Sequence, residues 1–319
     1  MATVRDTLTV RSDDVRLAVY LSGPRNAPPV ILVHGYPDSA RVWERVREHL
    51  DKRFRVIAYD VRGAGASDAP KRRADYKLSV LAQDLLAVAV ADVTCGDRPF
   101  HLVGHDWGSI QCWEAATDPA VKGRLASYTS ISGPCLDHVF RAPLNLRQTL
   151  KSWYIAFFHL PLVPELVWRL GGAKLWPLWL RRTERIVADA DPDQLRNGLN
   201  GLKLYRANFI ERARRPRERY AQAPVQIIVP RYDRYVTPAL TRGLDRWLGA
   251  HRRDEIAASH WTVIRDAALI AARIGRFAAA HEPKRHAIAA GGAKSGGQPR
   301  VKQRTNQQAS AGRRLKSVS

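Results

Sequence analysis

The chain has 319 residues, 45% of them hydrophobic, and a formal net charge of +22. That length holds one large domain or two smaller ones, and that apolar content excludes a chain disordered throughout. Three scattered cysteines, Cys95, Cys112 and Cys135, exclude a disulfide scaffold and follow no zinc-ligand spacing, so a reducing compartment, a cytoplasmic location and no metal or cofactor are expected.

The start of the chain mixes Arg5 and Asp6 with no apolar core, which does not describe a signal peptide. Thr7 to Val10 and Val15 to Leu21 alternate as a hairpin around Ser12-Asp13-Asp14. Pro29 to Val33 is a continuous apolar run, the pattern of a strand buried on both faces, and it ends in His34-Gly35-Tyr36-Pro37. Ala40 to Leu50 predicts an amphipathic helix, and Phe54 to Tyr59 a strand that ends at Asp60. Leu78 to Val93 predicts a helix with Asp84 on its polar side. Phe100 to Val103, Ser109 to Ala116 and Leu125 to Ile131 predict a strand, a helix and a strand.

From Asp137 to Ala221 the alternation stops. The segment reads as helical and is rich in Trp and Tyr, with breaks at Pro161, Pro164 and Pro177. Within it, Trp153 to Trp168 is shorter than the ~20 residues of a membrane span and predicts a buried helix pair. Val225 to Val229 then predicts a strand, Thr237 to Leu248 a helix, Glu255 to Ala258 a short strand and Trp261 to Ala280 a closing helix. Residues 283–319 carry nine Lys or Arg and no acid. This tail is expected to be disordered and is suited to weak contact with anionic membrane or nucleic acid, although no aromatic-interleaved nucleic-acid module accompanies it.

Alternating strands and helices predict an α/β protein with a mostly parallel, doubly wound sheet, whose ligands bind at the carboxyl ends of the strands. The expected division is a core of residues 1–135 and 223–282, a helical cap of 136–222 inserted into it, and the tail. His34 to Pro37, Asp60 and Asp106 all fall at strand carboxyl ends. Gly104-His105-Asp106-Trp107-Gly108 stands between a strand and a helix, the setting of a nucleophile elbow, with glycines giving room to a strained central residue. The competing reading is a loop whose Asp caps the next helix.

His34-Gly35-Tyr36-Pro37, Asp60 with Arg62-Gly63 and Ser67, the elbow, and Ser259-His260-Trp261-Thr262 together resemble an α/β-hydrolase-fold epoxide hydrolase, over roughly Val15 to Ala280. The chain is similar to the hydrolase half of bacterial fusions with a short-chain dehydrogenase. No dinucleotide-binding glycine fingerprint follows a strand here, so the dehydrogenase is expected to be missing. A carboxylate at the elbow can attack a saturated carbon without activation, which points to epoxide opening or halide displacement through an ester on Asp106.

The resemblance implies His260 as the base for the hydrolytic water and Asp233 as its orienting acid, with Asp137 as the alternative. It implies the backbone N–H groups of Tyr36 and Trp107 as oxyanion donors. It also implies Tyr154 and Tyr205 as the acids that meet the epoxide oxygen. His105 and His34 read as structural. The expected product is a vicinal diol, from a small apolar epoxide. The alternatives are a haloalkane dehalogenase on the same site, disfavoured because Tyr36 stands where an Asn often holds halide, and a non-catalytic hydrolase-like protein with an anion-binding tail.

Overall fold

A computed structural model describes residues 6–143 and 145–283. Residues 284–319, and with them nearly all of the expected disordered tail, lie outside the described residues. Eight strands form one sheet: β1 (Asp6–Ser12), β2 (Val15–Ser22), β3 (Pro29–Val33), β4 (Arg55–Tyr59), β5 (Phe100–His105), β6 (Leu125–Ile131), β7 (Val225–Pro230) and β8 (Arg252–Ile256). Their spatial order is β1-β2-β4-β3-β5-β6-β7-β8. The β1–β2 and β2–β4 pairs are antiparallel and all the others are parallel. Every residue of β3, β4 and β5 is buried, as expected of largely apolar strands covered on both faces. At the far edge β8 carries Arg252, Arg253, Asp254 and Glu255, a charged margin that discourages pairing with another chain.

Helices α1 (Glu44–Leu50), α2 (Leu78–Val90) and α3 (Trp107–Ala116) follow the first parallel strands. Among the described residues, the stretch between β6 and β7 holds helices and no strand: α4 (Leu136–Arg141), α5 (Leu146–Lys151), α6 (Trp153–His159), α7 (Val163–Val167), α8 (Ala173–Glu184) and the long α9 (Gln194–Arg214). Then come α10 (Asp245–Leu248), α11 (Thr262–Arg265) and α12 (Ala267–Ala280). One apolar cluster joins α2, α3 and α9 to one face of the sheet; the other joins α1, α11 and α12 to the opposite face. The described residues belong to one compact unit ending at Pro283.

Several local expectations need correction. Thr237 to Leu248 is not one helix but a 3-10 turn at Pro238–Thr241 and the short α10, separated at Gly243, whose φ of 66° is left-handed. The closing helix is broken at Asp266 into α11 and α12. The last strand begins three residues earlier than Glu255 and ends before Ala258. Asp84 does not lie on a solvated face. It is buried and bidentate with Arg62, at 2.6 and 2.5 Å, fixing the loop after β4. The largest departure is Trp153 to Trp168. The expected buried pair is two short helices with Trp153, Leu162, Leu166 and Val167 open to solvent. Apolar composition alone does not reveal whether a helix has anything to pack against.

Candidate active site

The centre of the site is the turn from β5 into α3. Asp106 sits there with φ 53° and ψ −125°, a sparsely populated conformation for a residue with a side chain. Close packing sustains it. A Cβ on Gly108 would overlap the Val33 carbonyl oxygen, and one on Gly35 would overlap the Asp106 carboxylate. The Asp106 amide donates to the Ile131 carbonyl at 3.0 Å, and the Ile110 amide donates to the Asp106 carbonyl at 3.0 Å. Asp106 makes no side-chain cap bond to its helix, so the capping alternative fails.

Instead, Asp106 Oδ1 accepts from the Tyr36 backbone N–H at 2.8 Å, while Oδ2 faces His260 Nε2 at 3.5 Å. His260 Nδ1 donates to Asp233 Oδ2 at 2.9 Å. That bond fixes the tautomer and leaves Nε2 toward Asp106. Asp233 is buried after β7, where its Oδ1 accepts the backbone N–H groups of Tyr235, at 2.7 Å, and Val236, at 3.0 Å. Burial pushes the Asp233 pKa up, but His260 and these two amides outweigh it and hold the carboxyl below its usual range. Burial likewise opposes an imidazolium at His260, yet the flanking carboxylates Asp233 and Asp106 raise its pKa well above the ordinary value. Asp137, the alternative acid, is elsewhere: Arg217 grips both of its oxygens.

The other strand-end residues build the frame. His34 Nε2 accepts from the Val61 amide at 2.9 Å, and His105 Nε2 bonds the His260 carbonyl at 3.0 Å. Asp60 accepts from the Ala40 and Ala66 amides and the Tyr20 hydroxyl, tying the segments after β3 and β4 to strand β2. These three side chains hold turns in place and do not line the cavity.

Above Asp106 lies a cavity of about 870 Å³ whose walls include Asp106, His260, Tyr154 and Tyr205. The two tyrosine rings are 6.1 Å apart and nearly perpendicular. Burial, reinforced by Asp106, raises both phenol pKa values, so both remain protonated donors across the physiological range. The Trp107 indole packs against Tyr205 and Phe209 and is not among the residues that line the cavity.

Sequence reasoning missed several contributors. Gln148 on α5 donates to the Tyr235 carbonyl at 2.7 Å and accepts from the Thr237 amide at 2.9 Å, and Lys151 donates to the Asp233 carbonyl at 2.8 Å. A helix of the insertion thus clips the loop that carries Asp233. Tyr235 packs edge-on to both His260 and Tyr154, with centroids 4.8 and 5.4 Å away. Asp38 accepts from the Trp261 indole at 2.9 Å, and burial beside Asp106 pushes its pKa up to about 7. None of these has a local spacing signature; each depends on where distant segments meet.

A strained carboxylate at an elbow, facing an imidazole on a parallel sheet, defines a class, and the family with the description alpha/beta hydrolase fold matches residues 28–267. The chain belongs to that family. Its relatives include "Probable oxidoreductase EphD" of Mycobacterium tuberculosis, 35% identical over 291 residues, 83% of this chain and 48% of that protein. "Epoxide hydrolase 3" of Xenopus tropicalis is 31% identical over 162 residues, 50% of this chain and 42% of that one. The chain thus spans about half the length of these curated relatives. An epoxide hydrolase structure from Bacillus megaterium superposes with a TM-score of 0.74 at 22% identity, covering 85% of this chain and 99% of that one, a likeness of fold.

Proposed function

We propose that this protein hydrolyses epoxides to vicinal diols through a covalent ester on Asp106. One observation carries the reading: Asp106, Tyr154 and Tyr205 line one cavity. A nucleophile for carbon and two acids for the leaving oxygen are what opening a strained ether requires. The relatives named as epoxide hydrolases lend it support.

In the first step Asp106 Oδ2 attacks an epoxide carbon and the C–O bond breaks. Tyr154 and Tyr205 hydrogen-bond the departing oxygen, which takes a proton from one of them. In the second step neutral His260 removes a proton from water, and the hydroxide attacks Cγ of the ester. The Tyr36 N–H already meets Oδ1, and with the Trp107 N–H it would receive the developing oxyanion. Collapse of the intermediate breaks the ester bond; the leaving alkoxide takes the proton of the new Asp106 carboxylic acid, and the His260 proton passes through solvent to the tyrosinate, so the diol leaves and carboxylate, neutral imidazole and both phenols are restored. Asp233 steadies the imidazolium. The insertion, residues 136–222, acts here as a cap, supplying one acid from α6 and the other from α9.

Halide displacement draws less support, because the Trp107 indole packs against Tyr205 and Phe209 and is not part of the cavity wall. The test is a panel of aliphatic, aryl and long-chain epoxides assayed for diol with the wild type and Asp106→Ala. Diol formation should fall by ~10⁴-fold or more in the variant. Turnover in water labelled with heavy oxygen should label Asp106. Full diol formation by Asp106→Ala, or an unlabelled Asp106, overturns the mechanism.

A further inference from the structure

The rim of the cavity has an unusual composition. Leu150, Trp153, Val167 and Leu175 belong to the cavity wall and are also exposed, Trp153 at 68%. They come from four helices of the insertion, α5, α6, α7 and α8. The apolar surface continues outward. Leu146 and Leu150, four residues apart, share one face of α5, and the exposed Trp153 opens α6. Around α7, Leu162, Leu166 and Leu170 repeat at intervals of four, with Leu162 and Leu170 exposed at 77% and 78%. Scattered exposed leucines are ordinary; exposed apolar side chains gathered on the helices that form a cavity wall are not, and they make an apolar collar.

The charges on this surface are of one sign. Residues 146–187 hold seven Lys or Arg and two acids. Both acids are withdrawn: Glu165 is bound bidentately by Arg206, and Glu184 is buried. Arg147, Arg169, Lys174, Arg181, Arg182 and Arg185 are all exposed, and among the described residues none forms an ion pair. Exposed leucine and tryptophan set among unpaired arginines form the pattern of a segment that lies in a lipid interface and draws in anionic headgroups. A second copy of the chain fits this face poorly, because a two-fold contact would set like charges against each other. No helix of the described residues is long and apolar enough to cross a membrane, so the seating is on the surface.

We propose that this collar docks on an anionic lipid bilayer, with Trp153, Leu162 and Leu170 entering the interface and the cavity mouth opening toward the acyl layer. Docking stands independently of the reaction proposed above. That the substrate is an epoxide dissolved in lipid and drawn directly from the bilayer rests on that reading.

The full chain is tested with vesicles of phosphatidylcholine alone and mixed with phosphatidylglycerol. Binding should appear with the mixed vesicles and weaken with salt. Lipids brominated on their acyl chains should quench tryptophan fluorescence, and Trp153→Phe should remove the quenched component. Leu162→Asn combined with Leu170→Asn should lower vesicle partitioning by about tenfold or more. Asn tolerates the left-handed backbone at Leu162, and both residues lie outside the cavity wall, so turnover of a water-soluble epoxide should be unchanged.

Equal vesicle binding by the double variant, or unquenched Trp153, overturns the proposal and assigns any binding to the basic tail. A dimer that the leucine substitutions dissociate, without lipid binding, overturns it in favour of self-association. Intact vesicle docking by a chain that forms no diol leaves docking standing and overturns the reaction alone.

Discussion

The two halves of the candidate site are held by different forces. On the sheet side, Asp106, His260 and Asp233 are fixed by short polar contacts: an amide on Oδ1 of Asp106, two amides on Oδ1 of Asp233, and a 2.9 Å bond between acid and imidazole. On the side of the insertion, Tyr154 and Tyr205 are oriented by edge-on and stacked rings, including Phe158, Tyr235 and Phe209. Polar networks set geometry within tenths of an ångström and fail when one partner is lost. Ring packing is more forgiving of small shifts. The difference suits the proposed chemistry, in which nucleophile and base need one fixed line and the acids must meet oxygens on substrates of varied shape.

Breaking the sheet side should cost most. His260→Gln should still open the epoxide but fail to release it, lowering turnover by ~10³-fold or more. Mass spectrometry of the intact protein would then show an adduct of epoxide mass. An inactive variant without that adduct would place His260 in the first step. Next come the tyrosines. Tyr154→Phe and Tyr205→Phe should each lower kcat/KM by ~10- to 100-fold and together by more. Halide release from chloroalkanes that survives the double substitution would restore the dehalogenase reading.

Smallest is the clip that joins the halves. Gln148→Ala should lower kcat by a few-fold, roughly, with a smaller change in KM, because it loosens the loop that holds Asp233. A weaker hold on the imidazolium lowers the His260 pKa. The pH limb that requires neutral His260 should therefore move to lower pH. A helix serving only as packing would leave that limb in place.

Much of the sheet side was legible because its residues sit at fixed offsets from recognisable strands: Asp106 between paired glycines, His260 after the last strand, Asp233 after β7. Of the two acids the sequence offered, Asp233 bonds His260 and Asp137 is bound by Arg217. The insertion was legible only as helix-forming sequence with two tyrosines. Gln148, Lys151 and Tyr235 carry no signature, because their roles arise where α5 meets a loop more than eighty residues away. The exposure of Trp153 and Leu162 was invisible for the opposite reason. Periodicity reports which face of a helix is apolar, but says nothing of what, if anything, covers that face.

The 3.5 Å approach of Asp106 Oδ2 to His260 Nε2 has a further consequence under the proposed reaction. In the resting protein the Asp106 charge helps hold a proton on His260. Forming the ester erases that charge. The imidazole then keeps only Asp233 in its support and yields its proton more readily. The nucleophile therefore works as an interlock on the base: the group that must accept a proton from water is freed to do so by the event that creates something to hydrolyse. Order of steps is written into one carboxylate, without any movement of the chain.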